Sequence, residues 1–278
     1  MGALTDVVIA NLALRHIGQK AITSLTDATD PTAVKVNDVY ASLRKKLIRE
    51  HPWNFVVTSV ILGHVVDADK TITAATKANP VVVTSAAHGF ANDDVVAIRD
   101  VVGMVELNGR KFTVKNKTTD TFELSGVDGS AYTSYTSGGK VGKVTTVGKE
   151  FDYTSRYILP TDFLNPIKVQ GEPEKKIDYR LQSGGSNLEL HIDDDTCNLQ
   201  YIASVTDPTK FDDTFVDVFA LLLASRLAFT ISQSRTMAVD MRELYTQELA
   251  TAKGLNAIGR GTPRQVQQDD VILSRSRQ

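Results

Sequence analysis

The chain has 278 residues, 42% of them hydrophobic and 23% charged, with a formal net charge of -2. These proportions exclude wholesale disorder, and 31 basic against 33 acidic residues exclude a global attraction to nucleic acid or anionic lipid, so any such binding is local. The single cysteine, Cys197, excludes an internal disulfide, and with no secretory leader readable at the start, synthesis in the cytoplasm is expected.

Helical spacing comes first along the chain. Thr5 to Ile17 places Ile9, Leu12, Ala13 and Ile17 on one stripe, and Gly18 follows at the position of a left-handed cap. His16 beside that stripe is expected to be a partly buried structural histidine, because no second ligand stands a turn away. Asp30 as N-cap and Pro31 at the first helical position open a longer helix. Val36, Tyr40, Leu43 and Leu47 mark its buried face and Pro52 ends it; Arg44, Lys45, Lys46 and Arg49 are expected on a solvated face, with a phosphate- or partner-binding patch as the alternative. Phe55 to Val66 then turns β-branched and aromatic and predicts a strand, with Trp53 filling the join between helix and sheet.

From Asp69 to Val147 helical periodicity vanishes. VVVTS, VVAIRD, RKFTVKN, TFELSG and GKVGKV read as strands separated by AHGFANDD, ELNG and GVDGS turns, which predicts a compact all-β module inserted into another domain. His88 in the first of these turns is expected to make a polar contact at a strand end. After the module, YTSRYILPTDFLNPIKV resumes a β pattern. Lys176 to Leu181, Leu188 to Ile192 and Asn198 to Val205 would join Phe55 to Val66 in one small antiparallel sheet.

Asp212 to Lys253 reads as two helices broken near Ser232 to Ser234. The first is apolar on nearly every side and about as long as a membrane span needs, yet Asp217 and Arg226 within it favour a soluble core helix. The second has one apolar face, with Ala238, Met241, Tyr245, Leu249 and Ala252. Beyond Gly254 the chain bears Arg260, Arg264, Arg275 and Arg277, with Gly259, Gly261 and Pro263 set against helix.

Chemistry is sparse. Gly139-Lys140 lacks the upstream glycine and the following hydroxyl of a phosphate-binding loop, and no GxSxG, HExxH or paired CxxC occurs. The richest polar run, HIDDDTC, reads as a turn, because successive strand side chains point to opposite faces and Asp193, Asp194 and Asp195 lack an apolar setting. No catalytic residue, metal site or cofactor is expected, and the predicted class is α+β.

The order of packing motifs in ALRHIGQKAITSLTDATDPTAVKVNDVYASLRKKLIREHPWNF, LPTDFL, YIASVTDPTKFDDTFVDVFALLLASRLAFTI and VILSRSR resembles the tail tubular protein A family, head-to-tail adaptors of short-tailed bacteriophages. The insert, through HGFANDDVV, GMVELNGRKFTV and TFELSGVDGSAY, resembles a small β-barrel module that recurs in phage virion proteins and was first described in ubiquitin-activating enzymes. What the resemblance implies is a four-helix adaptor core with a small antiparallel sheet, split as residues 1–68 and 148–253 around the module at 69–147, and a docking arm at 254–278. It further implies a non-enzymatic virion protein at the head–tail junction. Twelve copies would form a ring between the portal protein and the tail nozzle, a tail tubular protein B-like partner, with double-stranded DNA passing through unbound and no membrane involved. On that reading Arg260, Arg264, Arg275 and Arg277 bind the portal, while Phe215, Phe219, Leu222, Arg226, Met241 and Tyr245 meet the next subunit. Two other readings stay open. One is a carbohydrate- or host-surface-binding module that uses Phe90, Phe112, Phe122, Tyr132 and Tyr135. The other is a cell-wall hydrolase centred on HIDDD.

Overall fold

The computed structural model describes residues 3–144, 153–171, 177–184 and 187–258. Among them helices and antiparallel sheets combine in a mixed α and β fold that divides into two compact units, Met1–Val57 with Ser204–Gln278, and Thr58–Ala203.

The first unit is helical: α1 (Asp6–His16), α2 (Pro31–Glu50), α3 (Asp213–Ser232) and α4 (Arg235–Ile258). Local chemistry sets the ends of these helices. The Thr5 hydroxyl accepts the Val8 N–H, Asp30 accepts from Thr32 and Ala33, Asp212 accepts from Thr214, and the Ser234 hydroxyl accepts the Met237 N–H, so each N-terminus has a side-chain cap. Gly18 takes φ +67° after α1, and Asn11 pins the turn that follows by exchanging two hydrogen bonds with the Ile22 backbone, 2.8 and 2.9 Å. Gln233 at φ 52° breaks α3 from α4 while its N–H reaches the Phe229 carbonyl at 3.1 Å.

An aromatic cluster forms the centre of this unit. Trp53, Phe215 and Phe219 are fully buried, with the Trp53 and Phe215 rings edge to face at 5.2 Å and Tyr40 against Phe219 at 5.0 Å. The Trp53 indole donates to the Leu47 carbonyl at 3.1 Å, so its one polar atom is satisfied where it is buried. Helix α3 is long and apolar enough by composition to cross a membrane, but its residues from Phe215 to Ala228 are mostly buried against α1, α2 and α4.

The second unit is β. Its strands are β1 (Val57–Ile61), β2 (Lys70–Thr71), β3 (Ala74–Ala75), β4 (Val82–Thr84), β5 (Val95–Val102), β6 (Arg110–Lys115), β7 (Thr121–Leu124), β8 (Ser137–Lys143), β9 (Ser155–Ile158), β10 (Phe163–Gln170), β11 (Tyr179–Gly184), β12 (Asn187–Ile192) and β13 (Asn198–Ala203). Strands β2 to β8 make one seven-stranded sheet, in the order β2-β8-β5-β6-β7-β4-β3. Alternation along β6 and β7 turns Phe112, Val114, Phe122 and Leu124 into a core shared with Val83, Val96, Ile98 and Val141. Gly103, at φ +94°, stands where a Cβ would lie 2.3 Å from the Ser134 carbonyl oxygen, so the loop after β5 needs glycine there.

Several expectations are corrected. The single small sheet is two three-stranded ones, β1-β13-β10 and β11-β12-β9. The segment expected as one strand, 55–66, begins as a 3₁₀ turn at Asn54–Val56, forms β1, and then crosses at Gly63 so that His64 bridges Tyr157 of the other sheet. Both small sheets belong to the same compact unit as the seven-stranded one, not to the helical unit. Helix α4 does not stop at Lys253. It continues through Gly254 to Ile258 because the buried Asn256 side chain accepts the Asn54 N–H at 2.9 Å and donates to the His51 ring at 2.9 Å. His16 is exposed, on the solvent side of α1.

Candidate functional site

Among the described residues, two places set several charged side chains beside a cavity. The first is a polar junction in the β unit, where β6 meets β9 and the loop 193–197. Lys111 extends from β6 to pair with Asp195 at 2.5 Å and donates to the Ser155 hydroxyl at 3.2 Å. The His64 ring lies against Tyr157, 4.3 Å between centroids, and its Nε2 donates to the Asp195 carbonyl at 3.0 Å. A cavity of about 310 Å³ lined by Arg110, Lys111, Asp194, Asp195 and Thr196 opens beside these groups.

The spacing of Lys111 and Ser155 would suit a base and a nucleophile, but the setting does not. Asp195 takes up the Lys111 ammonium, and Ser155 is buried, so no substrate carbonyl can reach its oxygen. Burial, reinforced by Lys111, pushes the His64 imidazole down to about 4, which keeps it neutral at pH 7. Among the described residues its Nδ1 has no hydrogen-bond partner. Burial first, with help from Asp194, pushes the Cys197 thiol up to about 12, so the thiolate a nucleophile requires is absent at neutral pH. The three aspartates build a turn: Asp194 accepts the Thr196 N–H at 3.1 Å and Asp193 accepts from the Thr154 hydroxyl at 2.7 Å. Among the described residues no group of three His, Cys, Asp or Glu is placed to hold a metal ion.

Glu189 is a buried carboxylate on β12, accepting from His191 at 3.3 Å and from Arg156 at 3.5 Å. Like the junction, it is closed upon itself. His88 makes the strand-end contacts expected of it, to the Thr121 carbonyl at 3.3 Å and from the Phe90 N–H at 3.0 Å. Phe90, Phe112 and Phe122 are buried, and Tyr135 donates to the Ile72 and Gly138 carbonyls, so these rings do not form an exposed platform for a sugar.

The second place is the surface of the α3–α4 pair. Ser225, Arg226, Phe229, Arg235, Ala238, Val239 and Arg242 line a groove of about 350 Å³ between the helices. Phe229 is 60% exposed and Val239 57%. Arg226, Arg235 and Arg242 make no ion pair among the described residues. Arg226 and Arg242 stand near Tyr245, whose hydroxyl donates to Glu50 at 3.1 Å, and burial together with Glu50 raises that hydroxyl well above its ordinary range. The side of α4 away from the groove carries a second stripe, Asp240, Leu244, Glu248 and Leu255, all exposed.

Of the residues expected at a subunit interface, Phe215, Phe219 and Leu222 lie inside the helical unit's own core, where a neighbouring molecule cannot touch them. Met241 and Tyr245 are half-buried, and only Arg226 is fully at the surface. Arg260, Arg264, Arg275 and Arg277 lie outside the described residues. Phe229, Val239, Arg235 and Arg242 were not singled out from the sequence. An apolar residue breaking the polar side of an amphipathic helix, as Val239 does between Arg235 and Arg242, was the available signal.

Residues 78–145 match the model of the ubiquitin-activating enzyme E1 FCCH domain, a stretch that lies almost wholly within the seven-stranded sheet and covers less than half of the chain. That match is to no phage tail tubular protein family, and the recognition of the chain as a tail tubular protein A is thereby corrected. The motifs behind it have a local explanation: Gly18, Ile22 and Trp53 close a helix, pin a turn and fill a core, tasks that unrelated helix–turn–helix segments share. No curated protein matches the chain.

Proposed function

We propose that this chain is a non-enzymatic structural subunit of a virion, a head-to-tail adaptor that forms a ring through which double-stranded DNA passes. The helical unit, as a four-helix adaptor core, builds the ring, and the seven-stranded sheet is a decoration. The observation that carries this reading is the apolar surface left open on one helix pair. Phe229, Val239, Leu244, Leu255 and Ile258 are between 45% and 79% exposed, in a unit whose core is otherwise closed.

A ring needs a heterologous interface, in which one face of a subunit meets a different face of the next, and closure fixes the copy number, here twelve. A net charge of -2 suits a channel that lets DNA pass, since a strongly basic lumen would hold it through counterion release. In this reading the portal protein lies on one side and the tail nozzle on the other, and the subunit is made in the host cytoplasm.

Native mass spectrometry of the full chain, alone and with the portal protein of the same phage, tests the reading. A ring mass, or a portal-bound ring, is expected. A monomer under both conditions overturns it.

A further inference from the structure

The two open stripes on α4 differ in a way that assigns them to each other. At 100° per residue Leu244 lies about 140° around the helix from Val239, so the stripes are on separate flanks. The groove flank carries Arg226, Arg235 and Arg242 around Phe229 and Val239. The opposite flank places Asp240, Leu244, Glu248 and Leu255 at steps of four, four and seven residues, two acids alternating with two apolar side chains. None of these charges makes an ion pair among the described residues. One flank is basic with an apolar centre and the other acidic with an apolar centre.

We propose that the groove flank receives the Asp240–Leu244–Glu248–Leu255 flank of a second copy of the chain, head to tail. This rests on the ring reading above and names the contact that builds it. Leu244 and Leu255 cover Phe229 and Val239, which brings Asp240 and Glu248 within reach of the arginines. Arginine suits this role because its planar fork can grip a carboxylate through two hydrogen bonds. Because the two faces differ, each copy that joins leaves the same two faces free, which leads to rings or filaments and not to an isolated pair.

The full-length chain tests this in three forms: wild type, a basic-flank reversal (Arg235→Glu with Arg242→Glu) and an acidic-flank reversal (Asp240→Lys with Glu248→Lys). Masses are taken with and without the portal protein. The wild type is expected to assemble, and each reversal alone to run as monomer, because like charges then face each other. An equimolar mixture of the two reversals restores assembly, since every junction again pairs opposite charges. That rescue also shows that both variants are folded. If each reversal assembles like the wild type, the contact is overturned while the ring reading stands. If the reversals alone are monomeric and their mixture stays so, the contact is overturned as well. Wild type that remains monomeric in both conditions overturns both. A Val239→Cys, Leu244→Cys double variant supplies the geometry: under oxidation a ladder of cross-linked species is expected, and a band at dimer alone overturns the head-to-tail order.

Discussion

The β unit and the helical unit settle their surfaces differently. In the β unit period-two alternation sends Phe112, Val114, Phe122 and Leu124 inward, and its buried charged groups, Glu189 among them, meet partners within the same unit. In the helical unit α3 is buried around most of its circumference, yet α4 beside it keeps apolar residues exposed on two flanks. The β unit exposes apolar side chains too, Ile61, Val102 and Val105 at 53–55%; in the helical unit they gather on the two flanks of one helix pair around a closed core. Stability is thus assigned to core residues and the association proposed above to exposed ones, so substitutions can separate them.

The largest effect is expected from Phe215→Ala. Its ring touches Trp53, Phe55, Phe211 and Phe219, and removing it leaves a cavity costing about 3–5 kcal/mol. Trp53, the chain's one tryptophan, belongs to the helical unit, so urea unfolding followed by its fluorescence reports that unit. Its midpoint should fall, while amide exchange in β6 and β7 stays as in the wild type. Loss of protection in both places would show that the two units unfold as one, and the contrast between them would fail.

Next comes the acid sensitivity of the β unit. The His64 imidazole sits near 4 in the folded chain against its ordinary 6.5, so between those values the unfolded chain binds the proton and the folded chain does not. Stability is therefore full above about 6.5 and declines as the pH falls towards 4, by roughly 3 kcal/mol from this group. An NMR titration of the His64 ring is expected to show no protonation until near pH 4. A midpoint at 6.5 would mean that the junction is open to water.

What could be read before the structure follows from the range of the forces involved. Helix starts were legible because N-caps are local: Thr5, Asp30 and Asp212 each act within three residues, whereas the end of α4 depends on Asn256 meeting Asn54 and His51 far away in the chain. Five of the seven strands of the large sheet, β4 to β8, were legible from alternation and turn residues, with VVAIRD and RKFTVKN falling on β5 and β6, whereas the two-residue β2 and β3 are too short to show a pattern. Sheet membership was not, because pairing depends on residues far apart: β1 joins β13 while His64, three residues beyond β1, joins β9. For the same reason the contact between Lys111 and Asp195, strands apart, could not be foreseen. The surplus of apolar residues on α3 was visible in its composition, but which of them neighbouring helices cover is a tertiary fact. Phe215, Phe219 and Leu222 were covered, and Phe229 was not.

The smallest effect on stability is the sharpest test of the contrast. Val239→Ser and Leu244→Ser change exposed positions with little packing to lose, so each should move the Trp53 midpoint by no more than about 0.5 kcal/mol. Leu222→Ala, inside the same helix pair, should cost about 2–5 kcal/mol. Assembly should rank the variants the other way at concentrations where all three are folded. The two serine variants lose most of the assembled species, while Leu222→Ala, once stabilised by lower temperature or a cosolvent, retains it. Analytical ultracentrifugation over a dilution series reads the assembled fraction, and urea titration of the same samples reads stability. If the serine variants assemble as well as the wild type, the exposed residues of α4 are only solvated surface. If they unfold, these side chains belong to the core after all, and the open exterior of the helical unit is not a separate feature.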